Sequence, residues 1–105
     1  MAAGLGGRGT AAAAAAVRVI WSVPAIRDIE AHVSYIGQFN LVAAREVAAA
    51  LFSAGDSLAA MPHRGRRGRT SGTRELVAAS PYVIVYEIGV DRIEILRVWH
   101  GRQLA

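Results

Sequence analysis

Residues 80–103 read SPYVIVYEIGVDRIEILRVWHGRQ, and the rest of the 105-residue chain reads as something packed against this segment or hung from it. Residues 82–88 are almost continuously apolar and rich in β-branched and aromatic side chains, the pattern of a strand buried on both faces. Gly89-Val90-Asp91 breaks the run with turn chemistry and residues 92–99 resume it, which predicts an antiparallel hairpin. The second strand runs out into a polar cluster, His100-Gly101-Arg102-Gln103.

Working outward, 105 residues suffice for one domain with one core and are too few for two. Apolar residues make up 53% of the chain, but so many are alanine that the usable core is smaller than this share suggests. With no cysteine, disulfides and thiolate metal sites are excluded, which fits a cytoplasmic protein. All 12 basic residues are arginine, and the formal charge of +4 suits an anionic partner, either nucleic acid or an acidic protein segment.

Residues 1–16 are glycine-rich and end in a run of alanines with no periodic apolar face. A signal peptide would need a Leu- or Val-rich stretch there, so a disordered leader is expected, with a single domain over 17–105. Residues 17–21 (VRVIW) form a strand candidate with Val17, Val19 and Trp21 on one face. Ser22 is a good helix N-cap and Pro24 falls in the first turn, where its missing N–H costs nothing. Ile26, Ile29, Val33 and Ile36 then recur at helical steps, which sets Arg27, Asp28, Glu30 and Ser34 on the opposite side. Gly37 ends this helix. Asn40 is the N-cap of a second, in which Val47, Leu51, Ala54, Leu58 and Met61 repeat the spacing until Pro62 stops it. The two helices should form an antiparallel hairpin on one face of the sheet. Residues 63–72 (HRGRRGRTSG) have no apolar anchor and are expected to be a mobile loop; residues 73–78 (TRELVA) form another strand, and Ser80-Pro81 a turn. The order β-α-α-β-β-β, with the helices on one side of a mostly antiparallel sheet, is α+β.

Three groups of residues invite chemistry. Arg64, Arg66, Arg67 and Arg69 in the glycine-spaced loop, with Arg74 just beyond, can grip phosphates or carboxylates, against the plain reading of a solvated loop. His100 and Arg102 can serve as acid–base and anion-stabilising groups on a phosphodiester, although strand ends are often simply polar. Arg97 interrupts the apolar hairpin and calls for a carboxylate partner; Glu75 and Glu87 are the candidates, in a structural ion pair. Tyr82 and Tyr86 read as packing residues, His32 as solvent-facing and His63 as a loop residue. The three histidines have no metal-ligand spacing. No phosphate-binding loop, dinucleotide pattern, nucleophile elbow or membrane span is present, so neither cofactor nor metal is expected.

Several short motifs in this order resemble one family. Ala25-x-x-Asp28-Ile29, Tyr35-Ile36, Arg74-Glu75-Leu76, Pro81-Tyr82-x-Ile84-x-Tyr86 and Ile95-Leu96-Arg97-Val98-x-His100-Gly101-Arg102 are similar to the RelE/ParE toxin superfamily of bacterial type II toxin–antitoxin systems, over residues 17–103. The resemblance implies a growth-inhibiting toxin neutralised, in a hetero-oligomer, by a cognate acidic antitoxin that fills grooves and adds to a free sheet edge. It implies two branches: RelE-like ribosome-dependent mRNA interferases, and ParE-like poisons of DNA gyrase that catalyse nothing themselves. Residues 77–79 are uncharged where RelE-like proteins tend to carry a cation, and no tyrosine follows Gln103. Only Arg102 matches a basic position of the nuclease set, with His100 as a substitute for the tyrosine. These departures favour the ParE-like branch; a toxin fold surviving only as a non-toxic antitoxin-binding or autoregulatory subunit is the third reading.

Overall fold

The computed structural model describes residues 17–104; the leader expected over 1–16 lies outside the described residues. Strand β1 (Arg18–Trp21) leads into helices α1 (Val23–Gly37) and α2 (Leu41–Asp56). Strands β2 (Arg66–Arg67), β3 (Arg74–Ala78), β4 (Tyr82–Ile88) and β5 (Arg92–His100) follow, and a 3-10 turn at Gly101–Leu104 closes the series. The sheet order is β1-β5-β4-β3-β2, with β1 parallel to β5 and the other neighbours antiparallel. Two helices on a mixed five-stranded sheet make the fold α+β, as the element order predicts.

Both helix starts follow the sequence. Ser22 Oγ accepts the Ala25 N–H at 3.1 Å and Asn40 Oδ1 accepts the Ala43 N–H at 2.9 Å, so each cap satisfies a donor that has no partner within the helix. The end of α2 differs. The spacing predicts helix up to Pro62, but the chain tightens into a 3-10 turn at Ser57–Ala59, leaving Leu58 buried and Met61 exposed. Ser57 is the reason: its hydroxyl donates to the Ala54 carbonyl at 2.6 Å and accepts from Arg64 Nη1 at 2.7 Å, a local alternative to continued helix.

The core lies between the helices and one sheet face and centres on Ile29, Leu51, Leu58, Ile84, Tyr86, Ile93, Ile95 and Val98. Ile93, Ile95 and Val98 cannot all face inward on a regular strand. A bulge permits it: Val85 pairs with Arg97 and Tyr86 with Ile95, leaving Leu96 as the extra residue of β5. Beyond the bulge Val98 turns in and Arg97 turns out, its side chain 44% exposed. The arginine that interrupts the apolar run is therefore not a buried one.

The arginine segment is also folded differently from the mobile loop expected. Residues 66–67 form β2, paired with β3 as Arg66↔Glu75 and Arg67↔Arg74, and Gly68 N–H extends the ladder to the Thr73 carbonyl at 2.8 Å. Gly72 at φ +85° takes the left-handed turn that glycine adopts without strain. The anchors come from the sheet. Buried Glu75 accepts from Arg66 Nη2 at 3.3 Å and from the Arg69 N–H at 3.1 Å. The hydroxyl of fully buried Tyr86 accepts from the Gly65 N–H at 2.9 Å and donates to the Pro62 carbonyl at 2.7 Å. Tyr86→Phe should strand the buried Gly65 donor and cost about 1–2 kcal/mol; urea unfolding of parent and variant measures it, and equal midpoints would mean the hydroxyl does not hold the segment.

Candidate functional site

The strand end that carries His100 is built where β5 outruns β1. Their pairing stops at Trp21↔Ile95. Ser22 prolongs it, its N–H donating to the Ile95 carbonyl and its Oγ to the Leu96 carbonyl, both at 2.9 Å. After that α1 replaces the missing strand with side chains. Asp28 Oδ2 accepts the Val98 N–H at 2.9 Å and His32 Nε2 donates to the Val98 carbonyl at 2.8 Å, so the edge residue is satisfied on both sides.

Asp28 also grips Arg97 with both oxygens, Oδ2 to Nε at 2.7 Å and Oδ1 to Nη2 at 2.9 Å, while the guanidinium lies 5.2 Å from the centre of the Trp99 ring. This corrects the expected pairing of Arg97 with Glu75 or Glu87. Glu75 holds the arginine segment, and Glu87 is exposed and directly opposite Glu94. The bulge turns Arg97 off the core face, and Asp28, which reaches the β5 edge at Val98 from α1, is the carboxylate that meets it. Burial pushes the Asp28 carboxyl upward, but the hydrogen bonds from Arg97 and Val98, with the charges of Arg97 and His32, outweigh it and leave its pKa below the ordinary value.

Asp28 and His32 are the residues that sequence reasoning put on the solvent side. Their signal was present: four apart, they flank the buried stripe of Ala25 and Ile29, the border of a helix face where a side chain reaches sideways rather than out.

The His32 ring lies 4.8 Å from that of Tyr82, and the His100 ring meets Tyr82 edge-on at 5.5 Å. Burial raises the Tyr82 pKa, and the residue packs as expected. His100 Nδ1 accepts the Arg102 N–H at 3.1 Å, and the backbone N–H of His100 donates to Gln103 Oε1, so the ring and the main chain of His100 together pin the terminal turn. Arg102 is exposed and meets His100 through its backbone. One imidazole nitrogen is thus committed to structure and only Nε2 is left for chemistry. His63 is exposed in the short turn Pro62–Arg64, and among the described residues no group of His, Asp and Glu could hold a metal ion.

The arginine segment gathers the more concentrated charge. Arg64 turns back to Ser57 on the helix side and Arg66 to Glu75. Arg67, Arg69 and Arg74 instead line a concavity of about 480 Å³, with Ser71, Thr73 and Ile88. Arg74 is oriented by one bond, Nη1 to the Gly65 carbonyl at 2.6 Å.

Similar chains and the same fold occur in known proteins. A family model described as the ParE toxin of the type II toxin–antitoxin system, parDE, matches residues 19–105. "Toxin RelE2" of Caulobacter vibrioides is 42% identical over 87 residues, covering 83% of this chain and 98% of that protein. "Putative toxin Y4kP" of Sinorhizobium fredii is 42% identical over 87 residues, covering 82% and 90%. Among solved structures, a chain of the chromosomal ParDE system of P. aeruginosa superposes with a TM-score of 0.75 at 19% identity, over 82% of this chain and 97% of that one, a likeness of fold. A chain of the RelBE2 toxin–antitoxin complex of Mycobacterium tuberculosis superposes with a TM-score of 0.52 at 26% identity, over 81% and 98%. The extent of the family match and the identity to two toxins over nearly their whole length place this chain in the ParE toxin family of type II toxin–antitoxin systems, within the RelE/ParE superfamily.

Proposed function

We propose that the chain inhibits growth by poisoning DNA gyrase, as a binding toxin without catalysis of its own, and is neutralised by a cognate antitoxin. The observation that carries this reading is the end of β5. A nuclease needs an acid–base group and a cation converging on one phosphate. Here His100 spends Nδ1 on the terminal turn, Arg102 meets it only through the backbone, and Arg97 is clamped by Asp28. The uncharged stretch at residues 77–79 supports the same reading, with Val77 exposed where a cation would be wanted.

An antitoxin partner is supported by the toxin–antitoxin systems from which both solved neighbours come. The surface suits one: Tyr35, Phe39, Leu41 and Val42 stand exposed around the turn between the helices, the Tyr35 and Phe39 rings 5.5 Å apart, apolar side chains that a partner would remove from water.

The name of the 42% identical Caulobacter relative, RelE2, favours a second reading, a ribosome-dependent mRNA interferase using His100 and Arg102. Pulse labelling after induction in a bacterial host separates them. DNA synthesis is expected to fail first, with filamentous cells and intact message. Protein synthesis failing first, with cleaved message and toxicity abolished by His100→Ala and Arg102→Ala, would establish the nuclease instead. If neither falls, the chain is a non-toxic antitoxin-binding or autoregulatory subunit.

A further inference from the structure

We infer that the concavity between β2, β3 and the end of β4 is a binding site for backbone phosphates of nucleic acid. The argument begins with register. Arg67 and Arg74 are direct cross-strand partners, and like charges directly opposite each other on paired strands destabilise the sheet unless something between them is negative. Nothing acidic supplies that charge from the walls, which are Arg67, Arg69 and Arg74 with Ser71, Thr73, Ile88 and glycine. The carboxylate closest in sequence, Glu75, is already engaged by the Arg66 guanidinium and the Arg69 N–H.

The three arginines also stand on anchored backbone rather than on a flexible tether. The β2–β3 ladder fixes Arg67, the Glu75 carboxylate fixes the backbone of Arg69, and the Gly65 carbonyl fixes Arg74 through one of its five donors. A concavity of about 480 Å³ is large enough for a phosphate with its sugar. Ile88 on its wall offers the sugar an apolar surface, and the Ser71 hydroxyl adds a donor of the kind that accompanies arginine on phosphate oxygens, whereas the Thr73 hydroxyl is spent on the Thr70 carbonyl at 2.6 Å. An acidic peptide would need apolar sockets between its carboxylates, and Ile88 is the sole large apolar residue here. The inference is independent of the gyrase reading, because DNA and RNA present the same phosphodiester.

The test is fluorescence anisotropy with the full chain, a labelled 20-base-pair DNA duplex, a single-stranded RNA 20 nucleotides long and a glutamate-rich peptide, each titrated across a salt series. The Arg67→Gln/Arg69→Gln pair should weaken nucleic-acid binding on the order of tenfold and reduce the slope of log affinity against log salt by about two for duplex DNA, or somewhat less for RNA. Whichever probe loses more identifies the source of the phosphate. Arg67→Lys/Arg69→Lys, which keeps both charges, should retain most of the slope, and thermal melts of each variant show that it folds. Arg18→Gln/Arg45→Gln removes the same net charge from exposed positions on β1 and α2 and should leave the slope near the parent's. Equal losses in the two glutamine pairs, an unchanged Arg67/Arg69 variant, or tighter pocket-dependent binding of the glutamate peptide would each overturn the inference.

Discussion

Gly55→Val should destabilise the domain by about 3 kcal/mol or more, the upper range for forcing extra volume into a packed core. For a domain of this size that corresponds to a fall in melting temperature of about 12 °C or more. Gly55 is buried near the C-terminal end of α2, and a Cβ there would overlap the Cζ2 and Cη2 atoms of Trp21 and lie 2.8 Å from Ile95 Cδ1. The indole has little freedom to retreat. Phe52 packs on it at a ring separation of 5.0 Å, and its Nε1–H donates to Asp56 Oδ1 at 3.1 Å. The glycine therefore lets α2 rest directly on the β1–β5 pair, and its poor helix propensity is the cost of that approach.

Gly55→Ala tests the balance more finely, because alanine gains about 1 kcal/mol of helix propensity while the overlap with the indole costs about 1–3 kcal/mol. The alanine variant should therefore be the milder one, and combining it with Trp21→Phe should recover part of the loss as a measurable coupling. Thermal and urea unfolding of the four proteins decide it. Gly55→Ala as stable as the parent, with no coupling to Trp21, would mean that the interface has room to spare.

How much of this could be read beforehand depends on how far apart in sequence the interacting groups lie. Ser22 and Asn40 were legible as caps because a cap and the N–H it accepts are three residues apart. The hairpin of β4 and β5 was legible from its own composition and turn. The inward parity of β5 was not, because a bulge is a property of two strands in register. Without the displacement at Leu96, Arg97 follows Ile93 and Ile95 inward and demands a buried carboxylate, which led to Glu75 and Glu87. With it, Arg97 faces Asp28, 69 residues earlier.

The arginine segment failed for the same reason. Its local composition is that of a solvated loop, but its anchors, Glu75 and Tyr86, stand 6 to 24 residues further along. Glycines read as sources of mobility serve a turn instead, as Gly72 does at φ +85°. The candidate chemistry was legible as residue types at the right end of the right strand. Which groups converge was not, since the commitment of His100 Nδ1 to the terminal turn depends on how the last residues fold back.

Asp28→Ala should cost about 2–3 kcal/mol at neutral pH and loosen the second half of β5 before the rest of the sheet. The carboxylate is well buried and accepts three hydrogen bonds, two from Arg97 and one from the Val98 N–H; the half-exposed guanidinium can turn to water, so most of the loss comes from the stranded amide. Asp28→Asn keeps an acceptor for Val98 and should cost less, the difference measuring how much the charge itself contributes. The dependence on pH has a defined sign. The folded pKa of Asp28 is lowered, so its charge contributes stability that is fully present above the unfolded value of about 3.9 and is lost as pH falls through the folded pKa. The gap between parent and Asp28→Asn should therefore stay flat from neutral pH down to about 4 and narrow below it. Urea unfolding at a series of pH values, with amide exchange at Val98, checks both parts. A gap that persists unchanged into strong acid would leave only hydrogen-bond geometry at work, and a Val98 amide as protected in Asp28→Ala as in the parent would show that the strand edge does not depend on α1.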